Sequence, residues 1–442
     1  MFKKILALTL TVVMIAALCV SFASCGKKRL GEGEEILPRK AISSNVTVPA
    51  DFKIGLITLH DENSTYDKNF IDAFVQVCEG MGIAKENYFI VSNVPEGDEC
   101  YDTAVDLAKN KGCKVIFADS FGHEAHMLKA AKEYPNVQFC HATGTSSKYL
   151  DDASITNFHN AFAAIYEGRY IAGIVAGKKL NEMIDSGKIK AEEAVIGYVG
   201  AFTYAEVVSG LTSFYLGAKS VCPSATMKVR YTGSWYDQAK EQEAANALIK
   251  KDKCVLISQH ADSLGAPKAC QKKKVPNVSY NGSTYTAGKD TWLVSSAINW
   301  APYFQGIIEA TAMGVEIPAD FAGDIDSNSV VLSGLNQDVV AAGTKEAVEA
   351  AIAKFKAGTL KVFDVSTFTV TVTDTLNKNA TVDANKHLTA YMADVDTDAA
   401  FTGDTNVIVT DGNVTYFAES VFRSAPYFDI QIDGITYLNT AF

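Results

Sequence analysis

The sequence lacks the marks of several common functions. Beyond the first two dozen residues, no apolar run is long enough to cross a bilayer. Basic clusters are short. One, Lys272, Lys273 and Lys274, reads as a solvated turn between a helix and a strand, and the formal net charge is -11. Phosphate backbones need concentrated Lys and Arg to displace counterions, so no nucleic-acid partner is expected. There is no CxxC pair, no GxSxG elbow, no GxGxxG after a strand and no GxxxxGK[ST] loop. These absences argue against zinc ribbons, α/β-hydrolase triads and phosphate-cradling folds. His123 and His126 in GHEAHM stand three apart, the wrong spacing for an HExxH zinc helix. Neither a metal nor a cofactor is expected.

Cysteines are few and irregularly placed. Outside the N-terminal Cys19 and Cys25 they are Cys78, Cys100, Cys113, Cys140, Cys222, Cys254 and Cys270. An odd number at wide spacing makes no disulfide framework. Cys140 in VQFC and Cys254 in KCVLI sit in apolar runs and read as small core residues.

The N-terminus carries the strongest local signal. Lys3 and Lys4 precede an apolar stretch from Ile5 to Val20, and the small residues Ala23 and Ser24 precede Cys25. That order is a secretory signal over residues 1–24. The FASC segment resembles the lipobox of bacterial lipoproteins, which implies cleavage before Cys25 and acylation of its thiol. Lipid there would hold the protein at the outer face of the cell membrane. Residues 25–50 mix charge, Gly, Ser and Pro without periodicity and read as a flexible tether.

From Lys53 onward, short β-branched or aromatic runs alternate with helical periodicity. Lys53–Leu59, Tyr88–Ser92, Lys114–Ala118 and Val137–Cys140 read as strands, with helices over Asp67–Cys78, Glu99–Lys109 and His123–Glu133 between them. A long helix is predicted over Ala161–Leu180. The alternation then restarts with strands at Ala194–Val199, Met227–Tyr231, Lys253–Ile257, Val275–Tyr280 and Thr291–Ser295. Such a pattern means βαβ units and mostly parallel sheets. At 442 residues, two lobes of like architecture fit better than one very wide sheet. The tail is less regular: Phe368–Val372 alternates like a strand, and short strands joined by Asp-Gly turns follow. A monomer is expected, since each lobe can bury its own core.

In parallel sheets, ligands bind beyond the carboxyl ends of the strands. The residues just after each strand combine rings with Asp, Asn, Ser and His: Asp61, Tyr66 and Asp67; Asp119; Phe202; Trp235; and Asp262. Rings stack on a flat ligand face, while short carboxylates fix its edge. A sugar would be served by the same carboxylates. Asp61 and Asp119 could form the acid/base pair of a secreted glycoside or nucleoside hydrolase. Nothing in the sequence raises the pKa of either, and a stacking cleft needs no catalyst, so a binding protein is expected rather than an enzyme.

Five segments then resemble one family: TYDKNF at Thr65–Phe70, GRYIAGIVAG at Gly168–Gly177, IGYVGAF at Ile196–Phe202, GSWYD at Gly233–Asp237 and HADSLG at His260–Gly265. Their order and spacing over Lys53 to Gly358 resemble the basic membrane protein family of solute-binding lipoproteins. The resemblance implies a periplasmic-binding-protein-like (type I) α/β fold, two Rossmann-like lobes with parallel sheets and a hinge cleft. It places residues 51–156 and 296–325 in an N-terminal lobe, and 157–295 with part of 326–442 in a C-terminal lobe. It also implies a nucleoside, a purine in the family, stacked between Tyr66 and Phe202. Asp262 would bond the base, Asp67 and Asp119 would make polar contacts, and Trp235 would be a further wall. The implied partners are the permease subunits of an ABC importer. A ligand-sensing receptor of the same fold would use the same cleft with a different partner.

Overall fold

The computed structural model of the protein describes residues 30–146, 154–395, 403 and 405–440. The signal and Cys25 lie outside the described residues. Among the described residues, no helix is long and apolar enough to cross a membrane.

The unit Glu32–Phe442 opens with β1 (Glu32–Leu37) and builds a first sheet from β2 (Ile54–Ile57), α1 (Thr65–Gly80), β3 (Tyr88–Val91), α2 (Asp98–Val105), β4 (Val115–Ala118), α3 (Glu124–Glu133), β5 (Gln138–Ala142) and β6 (Phe158–Ala163). Helix α4 (Ile165–Asp185) leads to a second set: β7 (Val195–Gly200), α5 (Ala205–Val221), β8 (Thr226–Tyr231), α6 (Gln238–Lys250), β9 (Leu256–Gln259), α7 (Gly265–Lys273), β10 (Asn277–Tyr280) and β11 (Trp292–Ile298). The chain returns through α8 (Ala301–Met313) and β12 (Asp320–Gly323), then crosses again to β13 (Val330–Asn336) and α9 (Thr344–Lys356). Short strands end it: β14 (Ala380–Val382), β15 (Leu388–Ala393), β16 (Thr405–Asn406), β17 (Ile408–Asp411), β18 (Val414–Phe417) and β19 (Ile435–Tyr437).

The six-stranded sheet has the order β12-β6-β5-β4-β2-β3 and is parallel throughout. The eight-stranded sheet runs β1-β13-β11-β10-β9-β7-β8-β19, with β13 antiparallel to both of its neighbours. Helices cover the faces, so strands such as Ile54–Ile57 are buried at every position. In each sheet the first strand of the set, β2 or β7, lies inside the sheet. The next strand pairs on one side of it and the later ones on the other. This reversal is the switch point at which doubly wound sheets open a crevice.

Helices α4 and α5 pack with their backbones almost touching. A Cβ on Gly173 would fall on the Phe214 carbonyl oxygen, and one on Gly217 on that of Tyr170. The small residues of GRYIAGIVAG are thus a packing device. The described cysteines are all free and buried, as their apolar settings suggested.

Four expectations are corrected. Residues 25–50 are not a tether throughout: Glu32–Leu37 pairs with β13, and its last residue is buried. The Arg39 guanidinium then donates to Asn69 Oδ1 (3.0 Å), and Lys40 N–H donates to Asn328 Oδ1 (2.8 Å). The helix expected from Ala161 starts at Ile165, because Phe158–Ala163 is a strand between β5 and β12. The chain therefore leaves the first sheet after Ala163 rather than at residue 157. Phe368–Val372 forms no strand, although Val370 N–H bonds the Lys386 carbonyl (2.9 Å).

Candidate functional site

The carboxyl ends of β2 and β4 face those of β7 and β9. On the first lobe, Ser64 caps α1 by accepting from Asp67 N–H (3.3 Å), which sets Asp67 in the first turn, where the helix dipole favours negative charge. Asp67 is buried. Its Oδ1 accepts from His60 N–H (2.7 Å), and its Oδ2 lies 3.4 Å from His60 Nδ1. Burial opposes ionisation, but the bonds from His60 and Ser64 outweigh it and hold this carboxyl below its ordinary range. Asp119, at the end of β4, accepts from Leu59 N–H (3.1 Å), and its carbonyl accepts from Tyr66 OH (2.8 Å). Burial, and then the nearby Asp67 charge, push the Asp119 carboxyl well above the usual range.

On the second lobe, Asp262 follows β9. Its Oδ1 accepts from Asn281 Nδ2 (3.1 Å), and its carboxyl too is raised, by burial first and then by Asp67 and Glu241. Glu241 of α6 holds this loop by accepting from Ser263 N–H (3.1 Å), and burial raises its own pKa to about 7. His260 Nε2 lies 3.4 Å from Glu206 Oε1. Behind them is the fully buried Arg169, which donates to the Gln259 carbonyl (3.2 Å) and to Tyr198 OH, with its guanidinium 4.6 Å from the Tyr280 ring.

The lobes meet across the crevice. Thr65 N–H and Oγ1 both donate to the Asp262 carbonyl (3.0 and 3.1 Å). The rings of His60 and Tyr236 are 5.4 Å apart, and those of Phe121 and Tyr204 are 5.6 Å apart. A narrow cavity of about 20 Å³ remains between them. Of the sequence-selected residues, Tyr66, Asp67, Trp235 and Asp262 line it. The other three do not. Phe202 stands behind Trp235, edge-on at 5.0 Å, and stacks on Tyr204. Asp119 braces the strand ends from below. Asp61 turns into its own loop, where it accepts from Asn63 N–H (3.0 Å). His60, Ser120, Phe121, Thr143 and His260 are also walls; they belong to the same post-strand loops but carried no separate signal. Glu206, another wall, was missed because it sits inside α5. Its signal was an acidic residue in the first turn of the helix that follows β7. His123, weighed above as a metal ligand, is buried with Nε2 3.0 Å from the Val94 carbonyl.

Asp119 gives a test of the electrostatics. A carboxyl raised on folding contributes stability below its unfolded pKa of about 4 and loses it as pH climbs toward the folded value. Asp119→Asn keeps the acceptor for Leu59 N–H and removes the titration. The variant should gain on the wild type, in thermal melting midpoint, as pH rises above about 4. Parallel midpoints over that range would show that Asp119 does not titrate as its setting demands.

Two doubly wound lobes closing on a ring-walled, carboxylate-edged cavity define a bilobed solute-binding protein of periplasmic-binding-protein-like fold. The chain belongs to the ABC transporter substrate-binding, PnrA-like family, which matches residues 55–358. The family is one of substrate-binding components of ABC transporters, and a place outside the cytoplasm, associated with the membrane, accords with that membership. It is 34% identical over 229 residues to a purine-binding protein of Brucella abortus, covering 52% of this chain and 59% of that one. It is 34% identical over 200 residues to a protein of Haloferax volcanii named as a candidate ABC transporter glucose-binding protein, covering 45% and 46%. The chain thus spans about half the length of these curated relatives. Among solved structures, an ABC transporter solute-binding protein of Conexibacter woesei superposes with a TM-score of 0.54 at 20% identity, over 70% of this chain and 98% of that one. That likeness bears on the fold.

Proposed function

We propose that the cleft binds a nucleoside, a purine nucleoside foremost, and that the protein, held to the membrane by lipid on Cys25, delivers it to the permease of an ABC importer. The observation that carries this reading is the pairing of Tyr66 and Trp235, from opposite lobes, with Asp67 and Asp262 in one small cavity. Flat rings match a heterocycle's faces, and the carboxylates match its N–H edge and the ribose hydroxyls. The Brucella abortus relative is named for purine binding, which favours the same class. Ligand touching both lobes would shift the population toward the closed form, in which Thr65 reaches the Asp262 carbonyl.

Titration calorimetry with purine and pyrimidine nucleosides, free bases and simple sugars tests this. Purine nucleosides should bind tightest. A sugar bound more tightly than any nucleoside would replace the reading with the second one, which the carboxylate-rich walls and the Haloferax volcanii relative favour. Trp235→Ala should weaken nucleoside binding by about 0.5–1.5 kcal/mol beyond the lost burial. Phe202→Ala should cost less, because Phe202 supports Trp235 without facing the cavity. The reverse order would restore Phe202 as the stacking ring.

A further inference from the structure

The cavity shares some of its walls with a neighbouring hollow. Phe121, Thr143 and Glu206 also line a second depression of about 220 Å³, open to solvent. Its far wall is Arg423, Ala425 and Pro426. These residues lie beyond residue 358, where the match to the family ends. The loop that carries them is fixed. Ser424 N–H donates to Asp320 Oδ2 (2.7 Å), and Ser424 Oγ accepts from Asn160 Nδ2 (2.9 Å), both on the first lobe's sheet. On the other side, Tyr166 OH donates to the Glu419 carbonyl (3.2 Å).

The chemistry of this annex differs from that of the main cavity. Arg423 is its one cation, but Nη1 donates to the Asp394 carbonyl (3.0 Å) and Nε to the Ala425 carbonyl (3.2 Å). The guanidinium is thereby committed to backbone carbonyls of its own loop and of the segment after β15. The Glu206 carboxylate at the junction disfavours an anion further. What is left for a ligand is mostly apolar, Ala425, Pro426, Ala205 and two rings, with Thr145 beside them and the Thr143 hydroxyl already bonded to the Ala142 carbonyl. Phe121 and Tyr204 remain 42% and 44% exposed although they touch each other. Exposed rings beside an apolar hollow mark a place where apolar surface is meant to be covered.

We propose that the annex is a second compartment of the ligand site and that the ligand is a nucleoside bearing a compact apolar substituent, alkyl or aryl, that lodges there. This rests on the nucleoside reading of the main cavity. The C-terminal segment, and not only the two lobes, then sets specificity.

The test compares adenosine and guanosine with derivatives carrying a benzyl group on the exocyclic amine, a butylamino group on the imidazole carbon, or a methylthio group in place of the terminal ribose hydroxyl. Calorimetry on the full chain should find at least one derivative bound roughly tenfold more tightly than its parent, the gain expected from burying a few methylene groups. Ala205→Trp and Pro426→Trp fill the annex from opposite sides, so one serves if the other fails to fold. Each should lower the derivative's affinity by about fivefold more than the parent's. The proposal is overturned if a parent binds while every derivative binds no better, or if the filling variants weaken both alike. If no parent and no derivative binds, the nucleoside reading falls, and this inference with it.

Discussion

Asp262→Ala is expected to weaken binding of the preferred nucleoside by about 2–4 kcal/mol, roughly 30- to 1000-fold. Asp262 is buried among carboxylates, which raises its pKa and favours its neutral form before ligand arrives. A heterocycle N–H that bonds the carboxyl favours the charged form, so binding should release a proton. Affinity should therefore rise with pH and level off above the pKa that the free protein gives this group. Calorimetry in buffers of different ionisation enthalpy reads the proton directly. Asp262→Asn keeps the side chain's shape and its contact to Asn281, and should bind without proton exchange. Glu241 of α6, which titrates near neutrality and bonds the same loop, remains in that variant, so its contribution separates from that of Asp262. Wild-type binding that ignores pH and exchanges no proton would remove Asp262 from the base-bonding role.

Gly217→Ala is expected to destabilise the second lobe by on the order of 1–3 kcal/mol, seen as a lower thermal midpoint. On an isolated helix the same change would stabilise by about 1 kcal/mol. The sign reverses because the added methyl meets the backbone carbonyl of Tyr170, which can yield only by moving all of α4. Gly173→Ala, facing the Phe214 carbonyl from the other helix, should behave alike. Pushing the helices apart also shifts Arg169, one turn along α4, which bonds the Gln259 carbonyl at the base of the ligand loop. Affinity should fall with stability. A Gly217→Ala protein that melts at or above the wild-type temperature would show that the helices have room to separate.

The sequence was most readable where local pattern and tertiary role agree. Strands such as Lys53–Leu59 are apolar runs bounded by turns, and the parallel sheets follow from their alternation with helices. The post-strand loops give the site, since switch-point geometry follows from that alternation. Legibility failed where partners lie far away in the chain. Phe158–Ala163 passes into an Ala-rich stretch that helix propensity also favours, and its strand identity comes from β5 and β12. Phe202 and Trp235 carry the same signal in sequence. Only their packing, one edge-on behind the other, decides which faces the cavity. The annex was invisible for the same reason, since its walls come from four separated stretches of chain.

The eight-stranded sheet is finished at both ends by strands from outside the span shared with the family. β1 closes one side against β13, and β19 closes the other against β8. A fragment trimmed to residues 55–358 would leave two rows of unpaired backbone donors and acceptors, each ready to template a neighbouring chain. Such a fragment should self-associate into β-rich aggregates, and any shortened version made for study would need both flanking segments to stay soluble.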